Sequence, residues 1–241
     1  MFAHRGFAAS GSGVVENTLP AFEAALALGA RYLETDVHAS RDGVAIISHD
    51  PSLARLTGTD ATVSSLSYDE LRDIPLGAGA FVSLADVLAA LPEARLNIDL
   101  KSADAVAPAV AAIRDAGAAD RVLVTSFSDA RRRAAVRALP GVATSASAGS
   151  FATALLASRG RLTPVVRRAL AGVVAVQVPE RALGMSVPNP RFLRLLHDLG
   201  VEMHVWTVND AAAMHRLLDA GVDGIITDRT DIAVEVLASR S

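Results

Sequence analysis

Three phrases share one grammar: DAGAAD ending at Asp120, DLGVEM ending at Met203 and DAGVDG ending at Gly224. Each closes an amphipathic stretch with a glycine and passes at once into a strand-like run. A left-handed residue ends a helix without a Cβ penalty when it is glycine, so Gly117, Gly200 and Gly221, with Gly29 in an equivalent place, mark helix ends. Repeated along the chain, helix, glycine and strand make a βα pattern. The strands expected are Phe2 to His4, Arg31 to Val37, Leu96 to Leu100, Val122 to Thr125, Val142 to Ser145, Val173 to Val178, Val201 to Thr207 and Gly224 to Thr227. Eight of them predict an α/β fold of the closed (β/α)8 TIM-barrel kind.

Helices are expected at Leu19 to Leu28, Leu84 to Leu91, Ala103 to Ala116, Asp129 to Ala138, Phe151 to Ser158, Pro190 to Leu199, Ala211 to Ala220 and Ile232 to Ala238. Between Ser145 and Val173 there is room for one helix or two, with Pro164 opening the second. The segment Pro51 to Phe81, rich in Thr, Ser, Asp and Gly, reads as a loop insertion after the second strand, with one helical turn near Tyr68 to Arg72. No heptad run, low-complexity tract or linker interrupts the chain, so one domain over residues 1–241 is expected.

Composition narrows the function. With 51% hydrophobic and 20% charged residues in 241, the chain can bury a large core. A net charge of -3 gives no global basic surface, which argues against nucleic acid and against anionic membranes as bulk electrostatic partners. The absence of cysteine excludes disulfides, thiolate metal sites and a cysteine nucleophile. MFAHRGFAAS places a charged pair after three residues, unlike a signal peptide or a membrane span, so a cytoplasmic protein without a stable membrane anchor is expected.

In a barrel of this kind, functional residues gather at the C-terminal ends of the strands. Those ends carry His4 and Arg5; Glu34, Asp36 and His38; Asn97, Asp99 and Lys101; Thr125 and Ser126; Gln177; His204 and Trp206; and Thr227 and Asp228. Side chains alternate along a strand, so Glu34, Asp36 and His38 share a face, as do Asn97, Asp99 and Lys101. Inward charges repeated on two strands are costly unless paired or bound to a cation. Three carboxylates, Glu34, Asp36 and Asp99, make an oxygen-rich set suited to Mg2+ or Ca2+ rather than zinc. The turn at Arg41 to Gly43 sends the chain back through Val44 to Ser48 and delivers His49 to the same rim. Two histidines beside Arg5 and Lys101 suit acid/base chemistry on an anion, most simply a phosphate.

The motifs AHRG at Ala3 to Gly6, ENT at Glu16 to Thr18, LETDVH at Leu33 to His38, DGV with HD at Asp42 to Asp50, NIDLK at Asn97 to Lys101, HVWTVN at His204 to Asn209 and DGIITD at Asp223 to Asp228 stand in an order that resembles the glycerophosphodiester phosphodiesterases. The resemblance spans nearly the whole chain. It implies a TIM-barrel hydrolase that converts a glycerophosphodiester, a small-molecule substrate, to glycerol 3-phosphate and an alcohol. It further implies that His4 and His49 are the catalytic acid/base pair. Glu34, Asp36 and Asp99 would hold one divalent cation, Mg2+ or Ca2+ with Mn2+ as a further option, and Arg5 and Lys101 would contact phosphate. Glu16, Asn17, Gln177 and Trp206 complete the expected substrate-binding set. Two positions depart from the family pattern: Asp99, where glutamate is commoner, and Val15, where proline usually precedes ENT.

Other readings stand beside these. A lysophospholipase-D-like phosphodiesterase of the same superfamily is the nearest alternative, and the polar insertion favours a soluble substrate over it. A barrel that binds phosphodiesters without turnover is the other. His38 fits a cation ligand or a hydrogen-bonded barrel residue equally. Asp228 reads as a cap of the last helix, Arg131 to Arg133 and Arg167 to Arg168 as solvated helix faces, and His197 and His215 as surface residues.

Overall fold

The parallel strands lie side by side because each is fed by a helix that packs back across its outer face. The computed structural model describes residues 1–240. Its barrel strands are β1 (Phe2–His4), β2 (Tyr32–Ala39), β3 (Arg95–Leu100), β4 (Val122–Thr125), β5 (Ala143–Thr144), β6 (Ala175–Pro179), β7 (Glu202–Trp206) and β8 (Gly224–Thr227). They pair in parallel in the order β5-β4-β3-β2-β1-β8-β7-β6. The last gap is bridged where Ser145 pairs with Ala175 and the Val174 N–H donates to the Thr144 carbonyl at 2.9 Å. Eight parallel strands therefore form a nearly closed barrel, as the βα grammar predicted.

Helices Leu19–Ala27, Leu84–Ala90, Val106–Asp115, Asp129–Ala138, Ala148–Arg159, Thr163–Ala169, Pro190–Asp198, Ala211–Asp219 and Thr230–Ala238 surround it. The open question between β5 and β6 resolves as two helices. The first starts three residues earlier than its apolar pattern suggested, because the Ser147 hydroxyl caps it by accepting from the Ser150 N–H. Gly29, Gly117, Gly200 and Gly221 take φ of +97°, +61°, +68° and +94°, the left-handed closures expected of them.

Outward residues of β2 and β3, Leu33, Val37, Leu96, Ile98 and Leu100, pack against Phe22, Leu84, Leu88 and Ile113 of the covering helices. Each such side chain, fully withdrawn from water, contributes about 1.5–3 kcal/mol. A matching layer built from Val176, Val178, Met203, Val205, Phe192 and Leu196 lies on the opposite side.

After β2 the chain turns at Gly43, φ +79°, and runs back as the antiparallel strand Ala45–Ile47, with Val37 opposite Ile47 and Ala39 opposite Ala45. This is the return that carries His49 to the rim. The inserted segment holds its helical turn at Tyr68–Arg72, but also a turn at Ala54–Thr57 and a hairpin of Pro75–Leu76 with Gly79–Ala80. Leu53, Val63, Leu71, Leu76 and Phe81 bury one another beneath it around Ile46. A second hairpin, Arg181–Ala182 with Met185–Ser186, follows β6. Its two-residue strands are too short to leave an alternating pattern in the sequence.

Candidate active site

The strand register assembles the site. His4 on β1 stands opposite Glu34 on β2, Glu34 opposite Asn97 on β3, and Asp36 opposite Asp99. Because Glu34 and Asp36 share one parity on β2, as do Asn97 and Asp99 on β3, these four side chains point into the barrel towards its C-terminal end. There they line a cavity of about 410 Å³ together with His49, Lys101, Gln177 and Trp206. The expected residues Glu16 and Asn17 stand outside its lining and act on those that form it.

Both histidines are held by a carboxylate. His4 Nδ1 lies 2.6 Å from Asp228 Oδ1, and His49 Nδ1 lies 2.7 Å from Asp50 Oδ1. An ionised carboxylate only accepts, so each Nδ1 carries the proton and each Nε2 is left for exchange. His4 Nε2 is 3.8 Å from Glu34 Oε2. Asp228 is itself fixed by the Asn209 side chain, whose Nδ2 donates to Asp228 Oδ2 at 2.8 Å. Burial would raise the Asp228 pKa, but its bonds to His4 and Asn209 outweigh that and hold it below the ordinary value. Asp228 is thus a partner of His4 and not the helix cap its sequence position suggested; the N-cap of the last helix is Arg229. The pairing of Ala3 with Thr227 places their successors, His4 and Asp228, side by side. The TD at the end of DGIITD was the available signal, and only the closure of β8 on β1 gives it meaning.

His49 belongs to a longer chain of charges. Arg55 bonds Asp50 through Nε and Glu16 Oε1 through Nη2 at 2.6 Å, while Arg5 Nη1 reaches the same Glu16 oxygen at 2.9 Å. Burial would raise the Glu16 pKa, yet Arg55 and Arg5 hold it low. Arg55 had no signal in its local sequence, since it lies in the insertion and arrives through tertiary packing. His38 resolves to a positioning role: it is buried and its Nε2 lies 3.2 Å from the His49 carbonyl, which accepts from it. Burial lowers the His38 pKa, consistent with a neutral donor.

The anionic half of the cavity is dense. Lys101 Nζ sits 2.8 Å from both Asp36 Oδ1 and Asp99 Oδ2, and Arg5 Nε lies 3.5 Å from Asp36 Oδ2. Asn17 donates to Asp36 Oδ2 at 3.3 Å and accepts from Thr35 at 2.8 Å, which holds the Asp36 carboxylate from behind. Burial first, and the charges of Asp36 and Asp99 after it, push the Glu34 carboxyl well above the usual range; burial also raises Asp99. Burial would lower Lys101, but Asp36 and Asp99 reverse the sign and raise it. Two of the three carboxylates thus share a lysine, and Asp99 Oδ1 is buried with no hydrogen-bond partner. Among the described residues no three His, Cys, Asp or Glu side chains converge on one ready-made ion site. The donor chemistry still suits a hard cation: an all-oxygen set, one oxygen without a partner, and a carboxyl whose ionised form Lys101 and Arg5 compensate less than burial and its like charges oppose it.

The other half of the cavity is apolar, formed by Phe127, Phe151, Pro179, Ile226 and Trp206, with the rings of Phe127 and Trp206 edge to face at 6.1 Å. Trp206 therefore forms a wall of the cavity. Arg131 and Arg132 do not form the solvated face expected of them. Arg131 Nε donates to Ser126 Oγ at 2.9 Å and its Nη1 to the Lys101 carbonyl, tying the ends of β3 and β4 together. Arg132 is buried against Asp129 at 2.9 Å. Arg167 and Arg168, by contrast, are exposed as expected.

Comparison with known proteins gives the family and the fold. The sequence profile of the "Glycerophosphoryl diester phosphodiesterase family" matches residues 4–232. The chain belongs to that family. A Mycobacterium tuberculosis relative named "Probable glycerophosphodiester phosphodiesterase 2" is 43% identical over 99% of this chain and 90% of its own length. The crystal structure of a glycerophosphodiester phosphodiesterase from Parabacteroides distasonis superimposes with a TM-score of 0.78 at 25% identity, over 99% of this chain and 96% of that one. An Oleispira antarctica phosphodiesterase solved with the product sn-glycerol-3-phosphate has a TM-score of 0.74 at 20% identity, over 99% of this chain and 95% of that one, and so shares the fold. The member described here is a phosphoric diester hydrolase. None of its described helices is long and apolar enough to cross a membrane.

Proposed function

We propose that this enzyme hydrolyses glycerophosphodiesters to glycerol 3-phosphate and an alcohol with His4 and His49 as its acid/base pair, assisted by one divalent cation. The observation that carries the reading is that two histidines lining one cavity each have Nδ1 tied to a carboxylate. Each imidazole is thereby fixed in the tautomer and orientation that offers Nε2 for proton transfer. Arg5 and Lys101 supply the positive charge that holds the phosphodiester anion. One histidine removes the proton of the attacking oxygen as the new P–O bond forms, and the other protonates the alkoxide whose P–O bond breaks. Water is the nucleophile in direct hydrolysis; where the neighbouring glycerol hydroxyl attacks first, water then opens the cyclic phosphate to glycerol 3-phosphate. Asp228 and Asp50 stabilise whichever imidazole becomes cationic. When bound at Glu34, Asp36 and Asp99, a divalent cation would neutralise charge developing on the phosphoryl oxygens.

A coupled assay for glycerol 3-phosphate release, run over several head groups with Mg2+, Mn2+ and Ca2+ in parallel, tests the reading. His4→Ala and His49→Ala should each reduce kcat by about 10²- to 10⁴-fold with an unchanged circular dichroism spectrum. Near-normal turnover by either variant removes that histidine from the pair, and full activity after thorough chelation removes the cation. One observation favours a second reading, in which the diester carries an acyl chain. Phe127 is 59% exposed yet lines the cavity, and Leu183, 62% exposed, tips the hairpin after β6. Faster turnover of a lysophospholipid than of its deacylated counterpart would select that reading.

A further inference from the structure

A chain of side chains crosses the barrel interior from its far end to the cavity. Glu202, exposed at the start of β7, lies with Oε2 2.7 Å from His204 Nε2. His204 Nδ1 lies 3.3 Å from Gln177 Nε2, and Gln177 Oε1 lies 3.3 Å from Asn97 Nδ2. His204 is 2% exposed and Asn97 1% exposed, so these groups have no access to bulk solvent to satisfy them otherwise.

The polarity of this chain follows from its end. A carboxylate accepts only, so His204 Nε2 donates to Glu202, and the neutral imidazole is left with Nδ1 as an acceptor. Gln177 must then donate through Nε2, which leaves its Oε1 to accept from Asn97 Nδ2. The Asn97 amide is thereby oriented, and its remaining atom, Oδ1, is a buried acceptor with no partner in a residue that lines the cavity. An amide oxygen left buried and unpaired is costly, and a ligand donor would recover that cost.

The seat of His204 is built into the backbone. His204 stands opposite Gly224 of β8, and a Cβ on Gly224 would fall 2.7 Å from His204 Cδ2 and 3.0 Å from Phe2 Cε2. The imidazole occupies the space of the missing side chain and rests on the Phe2 ring with centroids 4.6 Å apart. No step of the proposed hydrolysis uses His204, so its placement calls for another account.

We infer that Asn97 Oδ1 accepts a hydrogen bond from a hydroxyl of the substrate's glycerol moiety, and that Glu202, His204 and Gln177 are positioning residues that keep that oxygen aimed at the cavity. The inference rests on the proposed hydrolysis and adds to it the group that distinguishes a polyol diester from a simpler alkyl diester. Asn97 is level with Glu34 and one inward-facing layer below Asp36 and Asp99, so the acceptor lies at the cavity floor, beneath those two aspartates. Thr125, whose hydroxyl meets that of Ser145 at 2.5 Å, extends the polar floor beside it.

The test compares the choline diester of glycerol phosphate with its two deoxy counterparts, built on propane-1,2-diol and propane-1,3-diol. The native enzyme should show kcat/KM lower by about 10- to 100-fold for at least one counterpart. Asn97→Leu should lose that preference to within about threefold, because it slows the glycerol diester far more than the discriminated deoxy substrate. His204→Leu and Gly224→Ala should raise KM for the glycerol diester with kcat largely retained, and leave KM for the deoxy substrate unchanged. A purely structural role for the chain would move all three substrates together. Native discrimination surviving in Asn97→Leu, or none in the native enzyme, overturns the inference. Asn97→Ser provides a milder variant should the leucine protein fail to fold. Calorimetric binding of glycerol 3-phosphate against 3-hydroxypropyl and 2-hydroxypropyl phosphate makes the same comparison without turnover. If the native protein hydrolyses no diester, the proposed function fails by itself, and equal affinity for the three phosphates overturns this inference separately.

Discussion

Glu34, Asp36 and Asp99 predict how stability should respond to pH and to a divalent cation together. Burial and two like charges raise the Glu34 pKa, and burial raises that of Asp99. Between the ordinary carboxylate value and the raised folded value, the native state binds more protons than the unfolded chain. Stability conferred by these two groups is therefore greatest at low pH and is lost as pH rises through the folded pKa. A cation needs the ionised carboxylates and competes with those protons, so its stabilising effect must grow over the same rise. At a concentration of about 100 times Kd, one bound ion adds about 2.7 kcal/mol. For a chain of this size each kcal/mol moves Tm by about 2–4 °C, so the expected increase is about 5–11 °C.

The assay is differential scanning calorimetry of chelated protein against protein with Mg2+, Mn2+ or Ca2+, at pH 5.5 and at pH 8. The increase should be large at the higher pH and small at the lower. Glu34→Gln should abolish it while leaving the chelated protein at least as stable as the native one, because the substitution removes a buried charge that Asp36 and Asp99 repel. A Tm indifferent to all three cations at both pH values refutes the assignment. An increase that survives intact in both Glu34→Gln and Asp99→Asn places the ion elsewhere. Lys101, which sits 2.8 Å from two of the carboxylates, supplies the control. Lys101→Met should lower the stability of the chelated protein and enlarge its response to the cation, since a bound ion then replaces the ammonium shared by Asp36 and Asp99.

Asp228→Asn should lower kcat by about 10- to 10³-fold, because an amide can face His4 Nδ1 with the wrong group; stopped or coupled assays at fixed pH read the loss. Arg55→Ala should lower activity by about 3- to 30-fold through release of Asp50 and Glu16, and Tm should move little, because half-exposed ion pairs contribute about 0–1 kcal/mol. Gly77→Ala should destabilise by about 1–3 kcal/mol in a denaturant titration. Its φ is +56° and a Cβ there would meet the Gly13 carbonyl oxygen at 2.1 Å, so the segment carrying Glu16 and Asn17 would lose its dock.

The fold was legible because its signals are local. A glycine after Ala116 or Leu199 ends a helix wherever the helix lies, and the parity of Glu34, Asp36 and His38 survives any change in neighbours. The two hairpins and the extra turn at Ala54–Thr57 were not legible. Elements of two to four residues span only about one period of either pattern, too little to repeat it, and are held by tertiary contacts such as those of Leu53 and Leu76.

In the site, the groups that carry charge into the cavity could be read from strand ends, whereas the groups that orient them could not. His4, His49, Glu34, Asp36, Asp99 and Lys101 were all expected there, and all line one cavity. Asp228, Arg55 and Arg131 were misread or missed. Each acts on a residue at least 30 positions away, namely His4, Glu16 and Lys101; parallel strand pairing brings Asp228 and Arg131 to their partners, and the packing of the insertion brings Arg55 to Glu16. Arg131 illustrates the physical reason. Three consecutive arginines on a helix look solvated by charge alone, but successive helical residues turn about a quarter of a circle, so at most part of the run can face water. One arginine of the run pins the ends of two strands, the next is buried against Asp129, and only Arg133 keeps the solvent-facing role, paired at 2.6 Å with the same aspartate.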